Sequence, residues 1–313
     1  MTSAPALPHL DQRGPAAGGR RPVGTVARGL VALTKPRIIE LLLVTTVPAM
    51  LLAQRGVPSL RLILITLVGG TLAAGSANTI NCYIDRDIDA VMKRTSRRPL
   101  VVNHGQGTIK PWEALAWGII LGAGATLLLG LMANWLAASL ADTAILFYIF
   151  VYTLLLKRRS PSNIVIGGAA GCFPVLVGWA AVTGTVAWPA VVLFAVIFLW
   201  TPPHFWALAL YRSDDYARAG LPMLPVTHGN EYTRLQILLY TWVLLAATLL
   251  PFLTGMSGWF YLGSALILGL MFCWHAIQLW RSYSEAYARK TFWFSIWYLS
   301  LLFAALLVDH YIA

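Results

Sequence analysis

Residues 62–98 read LILITLVGGTLAAGSANTINCYIDRDIDAVMKRTSRR. The stretch 62–83 is almost wholly apolar, and about 20 such residues suffice to cross a bilayer as a helix. Asn78, Asn81, Asp85 and Asp89 close it, advancing by three, four and four, so on a helix all four share one face. Asn and Asp are poor helix formers, and polar groups at a membrane boundary are costly without partners. Four on one face therefore mark a site. Two carboxylates and an amide suit a hard cation such as Mg²⁺, which takes one or two protein carboxylates and fills its shell with water and phosphate oxygens. Asp85 and Asp89 are the expected metal ligands. Asn81 joins them as a catalytic candidate, able to accept from a water ligand or donate to phosphate. Asp87 points elsewhere on such a helix. Arg94 and Arg98 are again four apart, so one face can offer two guanidinium groups to a diphosphate. Lys93 and Arg97 read better as membrane-surface anchors. The combination points to an enzyme that works on a diphosphate whose tail lies in lipid.

The rest of the chain fits that placement. Of 313 residues, 58% are hydrophobic and 11% charged, whereas soluble domains carry about 25% charged residues. The chain reads as an all-α, polytopic membrane protein. Spans are expected at 37–54, 62–83, 112–132, 136–156, 162–183, 188–210, 236–254, 259–280 and 291–310, nine in all. With these spans, 21 of the 23 Lys and Arg residues fall on one side, and only Arg55 and Arg61 on the other. Positive charge collects in the cytoplasm, so the N-terminus and the two long loops, 84–111 and 211–235, are expected inside and the C-terminus outside. The formal net charge of +11 follows from the same bias and does not call for nucleic acid as a partner. Trp135, Trp188 and Trp259 sit at the opposite span ends, as interfacial tryptophans do. The long loops follow the second and sixth spans, which suggests two four-helix halves and an added ninth helix.

Residues 1–30 are rich in Pro, Gly, Ala and Arg. They contain no apolar core of a signal peptide and read as a disordered cytoplasmic tail, with the membrane domain at 31–313. Cys82, Cys172 and Cys273 form no paired motif. Glu40, early in the first span, is expected to face the bundle interior or a nearby cation. His104 and His228 fall in the loops, and His275 and His310 in spans, where packing or hydrogen bonding is the simpler reading. Gly167 and Gly171 form a GxxxG, which marks close helix packing. No GxxxxGK[ST], HExxH or GxSxG is present.

The segment NCYIDRDIDAVMKRTSRRPL resembles the first aspartate-rich motif, NxxxDxxxD, of the UbiA superfamily of membrane prenyltransferases, with the RT…RPL tail that often follows. TPPHFWALAL, containing His204, and residues 215–229, DYARAGLPMLPVTHG, are similar to the heme O synthase branch of that superfamily. The resemblance runs from about TKPRI (34–38) to the C-terminus. It implies nine transmembrane helices, Mg²⁺ dependence, and transfer of a farnesyl chain from farnesyl diphosphate to a vinyl group of heme b, with water addition, in the cell membrane. Heme A synthase or terminal oxidase subunits are the protein partners it suggests. Other members carry DxxxD in the second loop. Here Asp214 and Asp215 are adjacent, and Tyr211 stands four before Asp215. One Mg²⁺ held mainly by the first motif is expected, with Asp214 or Asp215 helping through water or a second ion. Asn78, Arg94, Arg98, His204, Tyr211, Asp214 and Asp215 are the expected substrate-binding residues. His204 follows Pro202 and Pro203, which are expected to break the sixth helix. Its imidazole could ligate iron, orient a propionate or serve as an interhelical hydrogen bonder. Prenyl transfer to an aromatic quinone precursor is the nearest alternative. A non-catalytic heme-handling protein or transporter is the second.

Overall fold

The computed structural model describes residues 21–101 and 108–312, with side chains excepted at 37–43. All regular structure among these residues is helical. Eight helices are long and apolar enough to cross a membrane. We number the helices α1 (Val23–Leu33), α2 (Pro36–Gln54), α3 (Leu60–Ile84), α4 (Arg86–Val91), α5 (Pro111–Met132), α6 (Trp135–Leu156), α7 (Asn163–Thr183), α8 (Trp188–Leu210), α9 (Ser213–Arg218), α10 (Leu224–Leu253), α11 (Trp259–Arg281) and α12 (Glu285–Ile312). The eight membrane-length helices are α3, α5, α6, α7, α8, α10, α11 and α12. The first expected span is α2, helical over 19 residues, and the side chains of its described part, Val44–Gln54, are apolar. Glu40 and His104 lie outside what is described.

Packing divides the bundle differently from the loop pattern. Helices α3, α5, α6 and α7 pack in succession, while α8, α10, α11 and α12 form a second closed group. The groups meet where α7 packs on α8, and α2 also joins them, touching α3, α7 and α12. The first span therefore sits between the groups, where a ninth helix had been expected as the addition. Contact between α3 and α5 depends on glycine. A methyl at Gly69 would lie 2.6 Å from Leu129, and one at Gly118 would lie 2.5 Å from Ile80. In the GxxxG of α7, Gly167 faces Tyr152 and its neighbour Gly168 faces Thr201, but a methyl at Gly171 would meet nothing within 4 Å.

The two long loops are largely folded. In the first, Ile88 and Met92 join a core with Trp206, Leu210 and Leu221, so α4 docks onto the second loop. In the second, α10 begins at Leu224 and turns at Gly229 (φ 80°, ψ 169°). The tail expected through residue 30 gives way to α1 from Val23; residues 1–20 lie outside what is described. Gly29 of α1 packs against Ile109 and Pro99. Arg21 Nη1 donates to the Thr108 carbonyl (2.7 Å) and to Glu113 Oε2 (3.0 Å). Thus α1 straps both ends of the first loop. Trp135, Trp188 and Trp259 begin α6, α8 and α11 at the other end of the bundle and are all exposed, as interfacial anchors require.

Candidate active site

The C-terminal end of α3 gathers the first motif. Helix α3 stops at Ile84 and α4 starts at Arg86, with Asp85 (φ −89°, ψ 9°) between them. Helical bonds run through the junction, from Asp85 N to Asn81 O (2.9 Å) and from Asp89 N to Asp85 O (2.8 Å). The four-residue spacing survives, and Asn78, Asn81, Asp85 and Asp89 are all buried. Asn78 Nδ2 donates to the Thr34 carbonyl (3.0 Å), fixing the turn that carries Lys35. Lys35 adopts a left-handed backbone (φ 55°), a strained conformation that persists only where surroundings over-determine it. Its Nζ donates to Asn81 Oδ1 (2.9 Å). Asn81 Nδ2 in turn donates to Asp85 Oδ2 (2.7 Å) and Thr153 Oγ1 (3.2 Å).

Cations close the cluster. Lys157 pairs with Asp85, and Arg98 pairs with Asp89. Arg158 Nη2 lies 3.7 Å from Asp85 Oδ1, and that buried oxygen has no hydrogen-bond partner among the described residues. Burial pushes the Lys35 amine down to about 8. Burial also opposes the charge on Lys157, but Tyr152 and Asp85 outweigh it and raise its pKa. The site thus holds Lys35, Lys157 and Arg98 as cations around two carboxylates and an amide, an arrangement that can take up a diphosphate.

Sequence reasoning missed Lys35, Thr153, Lys157 and Arg158. Lys157 and Arg158 follow an apolar run and are indistinguishable by spacing from anchors. The last turns of α6, Phe147–Leu156, are π-helical, with Lys157 N bonded to Tyr152 O at 2.8 Å. Such segments are common at functional sites, and no sequence period signals them. Asp87, set aside by its helical position, is exposed and holds Arg158 through a fork of 2.8 and 2.7 Å bonds. The Arg158 guanidinium keeps the Asp87 carboxyl below its usual range.

The expected pairing of Arg94 with Arg98 fails. Residues 92–100 form turns, not helix, so a spacing of four no longer sets one face. Arg98 turns to Asp89, whereas Arg94 is exposed and its charge acts on Tyr211 and Tyr216. In the second loop Asp214 is exposed and Asp215 buried. Asp215 pairs with Arg218 and accepts from Lys93 N at 3.2 Å, which ties the two loops together. Burial tends to raise its pKa, and the Arg218 guanidinium overrides this to hold it low. Asp215 Oδ2 is buried without a hydrogen bond. Tyr211 stands between the guanidinium groups of Arg212 and Arg289, 5.5 and 5.4 Å from its ring centre.

The structure keeps α8 helical through Pro202 and Pro203, contrary to the expected break. Trp200 Nε1 donates to the Ser295 carbonyl (2.8 Å), and His204 Nδ1 meets Ser295 Oγ (2.7 Å). Both sides of the prolines are therefore clamped to α12, and neighbouring helices commonly rescue membrane prolines in this way. Ser295 Oγ donates its one proton to the Phe292 carbonyl (2.6 Å), so His204 Nδ1 is the donor and Nε2 the acceptor. The imidazole lies between Trp200 and Phe292, with ring centres 4.3 and 4.6 Å away. The interhelical hydrogen bond is the role these contacts display.

Among the described residues no group of three or more His, Cys, Asp or Glu converges on a point. Mg²⁺ takes only one or two protein carboxylates. Asp85, with its unbonded buried oxygen, and Asp89 one turn on fit such an ion.

Residues 42–302 match the family model described as the UbiA prenyltransferase family. A curated relative, the protoheme IX farnesyltransferase of Frankia casuarinae, is 58% identical over 285 residues, covering 90% of this chain and 97% of its own. A solved structure of digeranylgeranylglyceryl phosphate synthase shares the fold with a TM-score of 0.75 at 20% identity, over 91% of this chain and 98% of that one. A UbiA homolog from Archaeoglobus fulgidus bound to GPP and Mg²⁺ does so with a TM-score of 0.60 at 17% identity, over 89% and 99%.

Proposed function

Because the chain belongs to the UbiA prenyltransferase family, we propose that it transfers a farnesyl group from farnesyl diphosphate to a vinyl group of protoheme IX (heme b), with addition of water, giving heme O and diphosphate. The observation that carries this reading is the 58% identity to a protoheme IX farnesyltransferase over 90% of the chain. The cation-ringed carboxylates at the mouth of the bundle support it.

In this reading Asp85 and Asp89 would hold Mg²⁺, which when bound would supply charge neutralisation for a departing diphosphate. Lys35, Lys157 and Arg98 surround the same carboxylates and take up the remaining negative charge, which grows as the allylic C–O bond breaks. Asn81 bridges Lys35 to Asp85 and keeps the cations in register. The vinyl carbon of the acceptor attacks the allylic carbon, and water captures the cation left beside the porphyrin. The acceptor is electron-rich, so the protein need supply no strong base. Its task is to orient the two reactants and keep bulk water from the allylic centre.

The reaction takes place at the cytoplasmic face of the cell membrane, with the N-terminus inside and the C-terminus outside. A heme A synthase or a terminal oxidase subunit, as users of heme O, are the protein partners this reading implies. The test is a mass spectrum of hemes extracted from cells that lack heme O and express this chain. Heme b carrying a hydroxyethylfarnesyl group establishes donor and acceptor together. No new heme, with folded protein in the membrane, moves the assignment to prenylation of a quinone precursor.

A further inference from the structure

At the cytoplasmic end some cations pair with carboxylates, and others, among them Arg86, Lys93, Arg97, Arg159 and Lys290, are exposed without such a partner among the described residues. Arg98, Lys157, Arg158 and Arg218 each pair with a carboxylate. Arg94, Arg212 and Arg289 are exposed and have no carboxylate partner among the described residues. Two of these, from the end of α8 and the start of α12, converge on one ring: Arg212 and Arg289 lie 5.5 and 5.4 Å from the centre of Tyr211. The inside-positive bias explains basic residues at this surface. It does not explain why two of them, carried by separate elements, meet at one aromatic ring with no carboxylate partner among the described residues.

The ring is also the outer end of an aromatic row. Tyr211 packs edge-on to Phe292 (6.1 Å between centres), and Phe292 stacks on His204 (4.6 Å). A cationic rim continued inward by aromatic faces suits a planar apolar ligand with carboxylates along one edge. Guanidinium groups bind carboxylates through two parallel hydrogen bonds. We propose that Arg212 and Arg289, arranged about Tyr211, form the subsite that receives the two propionate carboxylates of the porphyrin acceptor, separate from the diphosphate cluster at Asp85 and Asp89. In protoheme IX the vinyl groups lie on the edge opposite the propionates. Anchoring the carboxylates at the aqueous rim thus directs the reactive edge into the bundle. This inference rests on a porphyrin being the acceptor.

The test uses the full-length protein with protoheme IX and its dimethyl ester, in which both carboxylates are masked. Losing a hydrogen bond to a charged group changes affinity about tenfold or more. The Arg212→Gln/Arg289→Gln protein is expected to raise KM for protoheme IX at least about tenfold, with KM for farnesyl diphosphate unchanged. Wild type should show a similar penalty with the ester, and the variant should not distinguish acid from ester. Arg212→Lys/Arg289→Lys should recover part of the loss, which a purely structural role would not predict. If the Gln variant and wild type discriminate acid from ester equally, the subsite is elsewhere. If wild type prenylates neither porphyrin, the acceptor assignment itself fails, a result separable from the loss of this subsite.

Discussion

At the scale of single residues, Asp85 carries two burdens. It is fully buried, pairs with Lys157 and presents an unbonded oxygen toward Arg158. Removing one partner of a buried ion pair strands the other, at a cost of about 3–5 kcal/mol. Asp85→Asn should therefore lower both stability and activity, and activity alone would not reveal which is primary. Replacing Lys157 as well separates them. The Asp85→Asn/Lys157→Met protein should regain the thermal stability lost by Asp85→Asn, yet remain about a hundredfold or more below wild type in turnover. Recovery of turnover along with stability would remove Asp85 from the chemistry. The motif was legible because its residues lie on one continuous helical path. Lys35 and Lys157 were not, since they reach Asn81 and Asp85 from 46 and 72 positions away.

At the scale of elements, the site depends on how closely α5 approaches α3. Ile80, the neighbour of Asn81, rests against the bare backbone of Gly118. A larger side chain there must push Ile80, and with it the turn of α3 that carries the site. Overpacking of this kind costs about 1–3 kcal/mol. Gly118→Leu should lower the melting temperature in detergent and raise KM for farnesyl diphosphate. Gly124→Ala, whose new methyl would meet Leu72 at an ordinary 3.8 Å, should leave both near wild type. Equal behaviour of the two variants would show that the contact does not position the motif. Elements also account for the readings that failed. Pro202 and Pro203 were expected to end a helix, but Trp200 and His204 hold α8 to Ser295 on either side of them. Arg94 and Arg98 were placed on one helical face, and the chain from 92 to 100 turns instead.

At the scale of the whole molecule, alternation of charge along the chain matches the bundle. The described interhelix segments 33–36, 84–101, 156–163, 210–224 and 281–285 alternate along the chain with those that precede Trp135, Trp188 and Trp259; the former carry most of the described Lys and Arg residues, and these three tryptophans are exposed. Cysteine labelling checks the orientation proposed from this. Cys82, Cys172 and Cys273 are buried, so a membrane-impermeant thiol reagent should report single cysteines added at exposed positions. Arg218→Cys should react only from the cytoplasmic side, and Val57→Cys only from outside. The reverse pattern would invert the topology. Joining of the two helix groups by α2 was invisible from the loop pattern, because loop length reports which spans are separated in sequence and not which spans touch.

The sequence by itself determined what local physics can settle. Apolar runs of membrane length, the inside-positive bias and the four-residue spacing of Asn81, Asp85 and Asp89 depend only on near neighbours along the chain. They set the helical class, the orientation reading and the polar face proposed to hold the metal. Tertiary structure decided which of the many loop cations serve that face. A basic residue that anchors a loop and one that completes a site look alike in sequence. Burial and packing distinguish them, since Lys35, Lys157 and Arg98 are carried to the carboxylates by α2, α6 and the turns after α4, while Arg212 and Arg289 are left unpaired beside Tyr211.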